Sequence, residues 1–265
     1  MRPPNRFLAP VMLALATVSC GAGGLSTSST STSTTTTSAA GIWVGTDSAT
    51  GLALTAIINA GGLADVIRSD GTQYVGTVQV SGTALAGALD VYTQFGTQFS
   101  DGATYGVGTL NATVSSGSSI SGSVNFTTSA NTMVSSTWSL TFSSLYNNAS
   151  SLSAVSGNYT DASTGDPLNG AVVSISGSGA MTAQSATTGC VLNGQISTAN
   201  TSNDAYEVSY TLGNCSGTDA ALNGIEFAGL AVLNSSVSPV QIVLGARGQS
   251  SSGTNYGVVS ALTHS

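Results

Sequence analysis

Apart from its tyrosines, the 265-residue chain offers few groups able to move a proton, hold a metal or attack a bond: eleven carboxylates, three cysteines, four arginines and one histidine. The carboxylates are the main catalytic material. Asp161 and Asp166 stand in Asp161-Ala162-Ser163-Thr164-Gly165-Asp166, and Asp204 and Glu207 stand close together further on. Either pair has the oxygens for a calcium ion or for a paired acid and base. Neither completes a D-x-[DN]-x-[DN]-G loop, and aspartates in turns ordinarily accept backbone N–H bonds. His264, second from the end of the chain, sits where chains usually fray. A Ser-His-Asp triad would have to be built on it. The lack of lysine excludes an S-x-x-K nucleophile. One histidine and two further cysteines leave no zinc or iron constellation. The expectation is a protein that is not an enzyme, with no catalytic residue, cofactor or metal.

The cysteines carry a different chemistry. The chain opens Met1-Arg2-Pro3-Pro4-Asn5-Arg6, followed by twelve residues, FLAPVMLALATV, and then Ser19-Cys20-Gly21. Positive charge, a short apolar run and small residues at a cut describe a secretory signal. Twelve residues fall well short of the about 20 that a spanning helix needs. Thr17-Val18-Ser19-Cys20 resembles the L-A/S-G/A-C box of bacterial lipoproteins, with threonine where leucine is usual. That resemblance implies a signal peptide over residues 1–19, acylation of Cys20 and a lipid-anchored protein of the bacterial envelope. Glycine rather than aspartate at position 21 implies the outer membrane. Residues 20–40, CGAGGLSTSSTSTSTTTTSAA, form a low-complexity tract that cannot bury a core and reads as a flexible tether.

Removing residues 1–19 leaves two arginines, Arg68 and Arg247, against eleven acidic side chains, a balance of −9. Phosphate binding rests on Lys and Arg, so no nucleic-acid partner is expected. The membrane is a partner through the N-terminal lipid alone. Only 6% of residues are charged, so Ser, Thr, Gly and Asn must make the surface soluble. Val, Ile, Thr and Tyr favour strands, and Gly and Asn supply turns.

The elements that must position these groups are therefore strands. Eight short candidates run from 41–44 to 137–142 and eight more from 156–160 to 256–262. Their spacing predicts an all-β protein of two small antiparallel up-and-down β-barrel modules, 41–145 and 154–265, divided at the polar segment YNNASSLS. One sixteen-stranded barrel would give the same strand list. Two repetitions support a duplication. Gly41-Ile42-Trp43 and Gly157-Asn158-Tyr159 each precede an aspartate and a Thr-Gly pair: Asp47 with Thr50-Gly51, and Asp161 with Thr164-Gly165. A glycine turn followed by tyrosine recurs at Gly71–Tyr74, Gly102–Tyr105 and Gly253–Tyr256.

Cys190 and Cys215 are an even pair in an exported chain and read as a disulfide. A hairpin turning on Ser202-Asn203 would set them opposite each other on a non-hydrogen-bonded pair, about 4.5 Å apart at Cα. That register leaves Leu192 and Ile196 on one face and Tyr206, Val208, Tyr210 and Leu212 on the other. A one-residue bulge at Gly194 or Gly213 would reconcile them.

Gly189-Cys190, Gly194, Asn203, Tyr206, Val208, Cys215, Gly224 and Gly229 form a pattern, over about residues 155–235, that resembles uncharacterised bacterial outer-membrane lipoproteins with small β-barrel domains. The G-x-W start is similar to that of lipocalin-like barrels. These resemblances imply fold and location, not activity. Three functions remain open. The first is a non-catalytic, membrane-anchored surface or periplasmic lipoprotein, structural or adhesive, with a surface protein as partner. The second is a carrier of a small apolar ligand in a cavity lined by first-module aromatics such as Trp43, Trp138, Phe95, Phe99, Phe126 and Phe142. The third is a membrane-spanning barrel, which needs strands of about 9–11 residues and aromatic girdles.

Overall fold

A computed structural model describes residues 37–161, 163 and 165–265. The expected signal, Cys20 and the tether as far as residue 36 lie outside the described residues. Period-2 alternation builds the strands. In Met133–Phe142, Ser136, Trp138 and Leu140 are buried, while Ser135, Thr137, Ser139 and Thr141 between them face solvent. Such a strand has one apolar face to bury, and a sheet closed on itself buries it without leaving an edge.

Eight strands do this first: β1 (Gly41–Asp47), β2 (Ala53–Ile58), β3 (Leu63–Arg68), β4 (Gln73–Ser81), β5 (Ala84–Tyr92), β6 (Tyr105–Ser115), β7 (Ser119–Thr128) and β8 (Met133–Phe142). Each pairs antiparallel with its neighbour in sequence, and β8 closes on β1 with Trp43 opposite Phe142. A second closed up-and-down barrel follows: β9 (Gly157–Asp161), β10 (Val172–Ile175), β11 (Ala180–Gln184), β12 (Val191–Thr198), β13 (Tyr206–Gly213), β14 (Glu226–Asn234), β15 (Gln241–Gln249) and β16 (Asn255–His264). The fold is thus all-β, two eight-stranded antiparallel barrels rather than one of sixteen.

Each barrel has its own apolar interior. Trp43, Leu54, Tyr74, Leu85, Leu110, Val124 and Trp138 interlock in the first. Tyr159, Met181, Ile196, Tyr206, Leu212 and Phe227 do so in the second. The repeated G-x-[WY] start places Trp43 and Tyr159, both 0% exposed, in corresponding places. Of the three turn tyrosines, Tyr74 lies in a barrel interior, whereas Tyr105 packs outside on Tyr92 and Tyr256 on Phe95.

A third cluster joins the barrels. Ile42, Ile57, Leu230 and Val232 point out of their barrels and into each other, with Tyr146 and Ala205. Strand β14 packs against β2, β15 against β3 and β16 against β5. The connecting segment holds a 3-10 turn, Ser144–Asn147, and α1 (Leu152–Val155), capped by the Ser151 hydroxyl, which accepts from Ala154 N at 3.2 Å. Tyr146 in this segment packs on Phe142, and its carbonyl accepts from Asp204 N. The last residues of the expected tether are also engaged. Ser38 N donates to Ser116 Oγ at 2.7 Å, and the Ala39 carbonyl accepts from Trp43 Nε1 at 2.9 Å.

Candidate functional site

Chemistry-bearing side chains gather in three places, all at or near the contact between the barrels. The first is the mouth of barrel one, where the β1–β2, β3–β4, β5–β6 and β7–β8 connections enclose a cleft of about 400 Å³. Arg68, at the end of β3, organises it. Its Nε and Nη2 donate to the Asp70 carboxylate at 2.9 and 2.8 Å, and its Nη1 reaches Asp47 Oδ2 and the Tyr74 hydroxyl, both at 3.2 Å. Burial pushes Asp47 up, but bonds from Ser136, Ala49 N, Arg68 and Thr50 N outweigh it and hold the carboxyl below its ordinary value. Asp70 is likewise pulled down by Arg68 and by Thr72 against its own desolvation. Asp101, on the β5–β6 loop, is lowered chiefly by the Thr128 hydroxyl and then by Ala103 N. Phe99 of the same loop lies 5.4 Å from Phe126, ring centre to ring centre.

The second place is the end of barrel two. Asp161 closes β9 and Asp166 follows in the next turn, and the fold brings the two predicted carboxyls together. Asp161 Oδ1 accepts from Ser163 N at 2.8 Å and Asp166 Oδ1 from Leu168 N at 2.7 Å, while Ser260 donates to Asp166. Desolvation raises both, Asp166 well above the usual range with the neighbouring Asp161 charge adding to it. Asp161 Oδ2 has no hydrogen-bond partner. The duplicated aspartates thus share a task and differ in company. Asp47 and Asp161 both accept backbone N–H groups of the turn that follows, but Asp47 meets an arginine and Asp161 a second carboxyl. Above this end sit Gln94 and Phe95 from barrel one. Gln94 Oε1 accepts from Val259 N at 2.7 Å, and Phe95 N donates to Gly257 O at 2.8 Å. Phe95 packs against the barrel-two core.

The third place is the seam. Asp65, mid-strand in β3, points out of barrel one and is 0% exposed because β15 covers it. Neither of its oxygens has a partner, and neither does Gln73 Oε1, although Gln73 Nε2 donates to Ala246 O at 3.3 Å. A Cβ on Gly245 would lie 2.7 Å from both Asp65 Oδ2 and Gln73 Oε1, so a larger residue there would push these side-chain ends aside. Burial pushes Asp65 up to about 7 against the opposing charge of Arg247.

Other predicted residues separate. Asp204 is buried in the loop before β13 and raised to about 6 by desolvation, whereas Glu207 faces solvent on β13, so they form no pair. His264 does not fray; it ends β16, opposite Tyr159, with its ring edge-on to that tyrosine at 5.1 Å. Cys190 and Cys215 are disulfide-bonded, with Cα atoms 4.0 Å apart. The hairpin register differs from the expected one. Thr198 pairs with Tyr206 and Val191 with Gly213, which centres the loop on Ser202 and sets Leu192 and Ile196 on the same inner face as Leu212 and Val208. The extra residue is Asn214, at φ 58°, immediately after Gly213, and it returns Cys215 to the side of Cys190.

Asp65, Gln73, Gln94 and the Arg68 network were not singled out by residue type. One signal was present. Strands β2, β3, β14 and β15 read ALTAII, LADVIR, EFAGLAVLN and QIVLGARGQ, with apolar residues on both faces where the others alternate. Two-sided apolar strands are covered on both sides, and all four of these lie in the seam. A scan against protein-family models finds none that matches the chain, and no curated protein matches it either.

Proposed function

We propose that the chain is a non-catalytic, lipid-anchored envelope protein whose two barrels form a structural or adhesive body held out from the membrane by its Ser/Thr tether. One observation carries this reading: the barrels are apolar inside and hydroxyl-bearing outside. On the outer face of barrel one, Thr109, Asn125 and Ser135 form one cross-strand row, Asn111, Ser123 and Thr137 the next, and Thr113, Ser121 and Ser139 a third. Lipid-spanning barrels carry the reverse pattern, an apolar outer belt around a polar lumen. Large exposed hydrophobics such as Val107 and Met133 are scattered singly. An apolar carrier is disfavoured by the interlocked interiors of both barrels. The buried Asp161–Asp166 pair lines neither that cleft nor the neighbouring one between Thr93–Gln98 and Thr254–Gly257, which favours a structural role for it.

The anchor is tested by growing cells in labelled palmitate. The wild-type chain should take up label and fractionate with membranes, and Cys20→Ser should abolish both. Label retained by the serine variant, or a mature amino terminus downstream of Cys20, would overturn the reading.

A further inference from the structure

We propose that the mouth of the first barrel is a binding site for a neutral saccharide of one or two rings. This deepens the adhesive reading above and rests on it for its setting. The cleft there holds about 400 Å³, inside the range of small-ligand sites, and barrel mouths are a favoured place for them.

Its lining combines what a sugar ring needs. Phe99 stands half-buried at the rim over Phe126, and the aromatic series continues inward from Phe126 to Tyr74 and from Tyr74 to Trp138. A pyranose has one face of C–H groups that packs on such a ring and a rim of hydroxyls that do not. Around Phe99 the wall is polar: Thr50, Asp70, Gln98, Asp101 and Thr132 all line the cleft. Asp70 and Asp101 are held ionised by their donors and keep further lone pairs, so each can accept from a ligand hydroxyl. Arg68 fixes Asp70 with two bonds, and Thr128 fixes Asp101, so the acceptors are positioned before any ligand arrives.

The lining also rejects other chemistries. Asp70 and Asp101 outnumber the single cation Arg68 among the lining residues, which disfavours an anionic ligand. An apolar ligand would strip water from the carboxylates and threonine hydroxyls and return no hydrogen bonds.

The second barrel contributes by holding the rim. The β5–β6 loop that carries Phe99 and Asp101 is tied down at its start: Phe95 N donates to Gly257 O, Gln94 Oε1 accepts from Val259 N, and Phe95 packs on the barrel-two core. Within the loop Thr97 Oγ1 donates to Gln94 O at 2.7 Å and Thr93 Oγ1 to Thr97 O at 2.9 Å. Fusion of the two barrels thereby converts a long connection into a fixed wall.

The test uses the full chain carrying Cys20→Ser, so that sugar binding is read independently of acylation. Maltose, cellobiose and N,N′-diacetylchitobiose are titrated by calorimetry, with glucuronate, spermidine and 1-aminoanthracene as anionic, cationic and apolar probes. At least one neutral sugar should bind saturably at a single site, and Phe99→Ala and Gln98→Ala should each weaken it at least fivefold, Gln98→Ala with the melting temperature unchanged. Gln98 is exposed, so its substitution separates binding from folding, and the melting temperature of Phe99→Ala reports how much of its effect is lost packing on Phe126. Binding of spermidine or aminoanthracene in place of every sugar, no sugar binding at all, or sugar affinity untouched by both substitutions would overturn the proposal. Failure of palmitate labelling in the wild-type chain would sink the anchor and leave this result standing.

Discussion

Asp65 shows how much a single residue's meaning depends on what lies across from it. In the strand LADVIR it alternates with Ala64 and Val66, and alternation alone would put it in water. The second barrel covers it instead, and it is buried with two unpartnered oxygens. Its folded-state pKa of about 7 lies above the ordinary 3.8, so between those values the folded chain binds more protons than the unfolded one. Stability from this group is complete below the unfolded value and is lost as pH rises through the folded one. The whole loss amounts to about 4 kcal/mol at 1.36 kcal/mol per unit. Asp65→Asn keeps the shape and removes the titrating proton. Denaturant midpoints at pH 5 and pH 8 should therefore fall with pH for the wild type and fall much less for the variant. Equal pH slopes for the two proteins would place the carboxyl's proton elsewhere. The same contrast explains which residues were legible. Asp161 and Asp166 stand out because they are neighbours in sequence. Asp70 lies two residues beyond Arg68, but Asp47 is 21 residues away, and only the pairing of β1 with β2 and of β2 with β3 brings it to Arg68.

Strands were the legible elements. Alternation fixes their faces, and glycines at left-handed φ, such as Gly71 at 83°, fix where they reverse. Finer geometry was not legible, because a register can be set by a single extra residue whose effect is local. The Cys190–Cys215 hairpin is the instance. Symmetry about the two cysteines centres the turn between Ser202 and Asn203, and the actual ladder centres it on Ser202, with Asn214 absorbing the difference. The apolar faces of β12 and β13 decide that outcome, since a one-residue slip would turn every side chain to the wrong side. The disulfide then closes a loop whose ends are 25 positions apart. Chain entropy gives it roughly 3–4 kcal/mol. The double variant Cys190→Ala/Cys215→Ala should lose about that much in urea unfolding, and reductant should bring the wild type down to the same midpoint. A wild type indifferent to reductant, matched by an unaffected variant, would remove the bond from the stability of this hairpin.

At the scale of the whole molecule, the question is whether two barrels behave as two domains or as one. Each has its own filled interior, which argues for independence. The seam argues the other way: Ile42 and Ile57 of one barrel meet Leu230 and Val232 of the other, all 2% exposed or less. Separation would expose this apolar surface together with the backbone bond between Phe95 and Gly257, and leave the Gln94 side chain without its partner at Val259. Coupling of this kind makes unfolding of either half costly to the other, so one cooperative transition is expected. Gly245 offers a way to uncouple them, because a side chain there would run into the ends of Asp65 and Gln73. Gly245→Val leaves the inward faces of both barrels intact and wedges the seam apart. Differential scanning calorimetry should show a single peak for the wild type, with calorimetric and van't Hoff enthalpies equal, and two resolved peaks for the valine variant. A wild type already melting in two steps would mean that the barrels are neighbours and not a unit, and the β5–β6 loop would then lose the support that fixes its position over the first mouth.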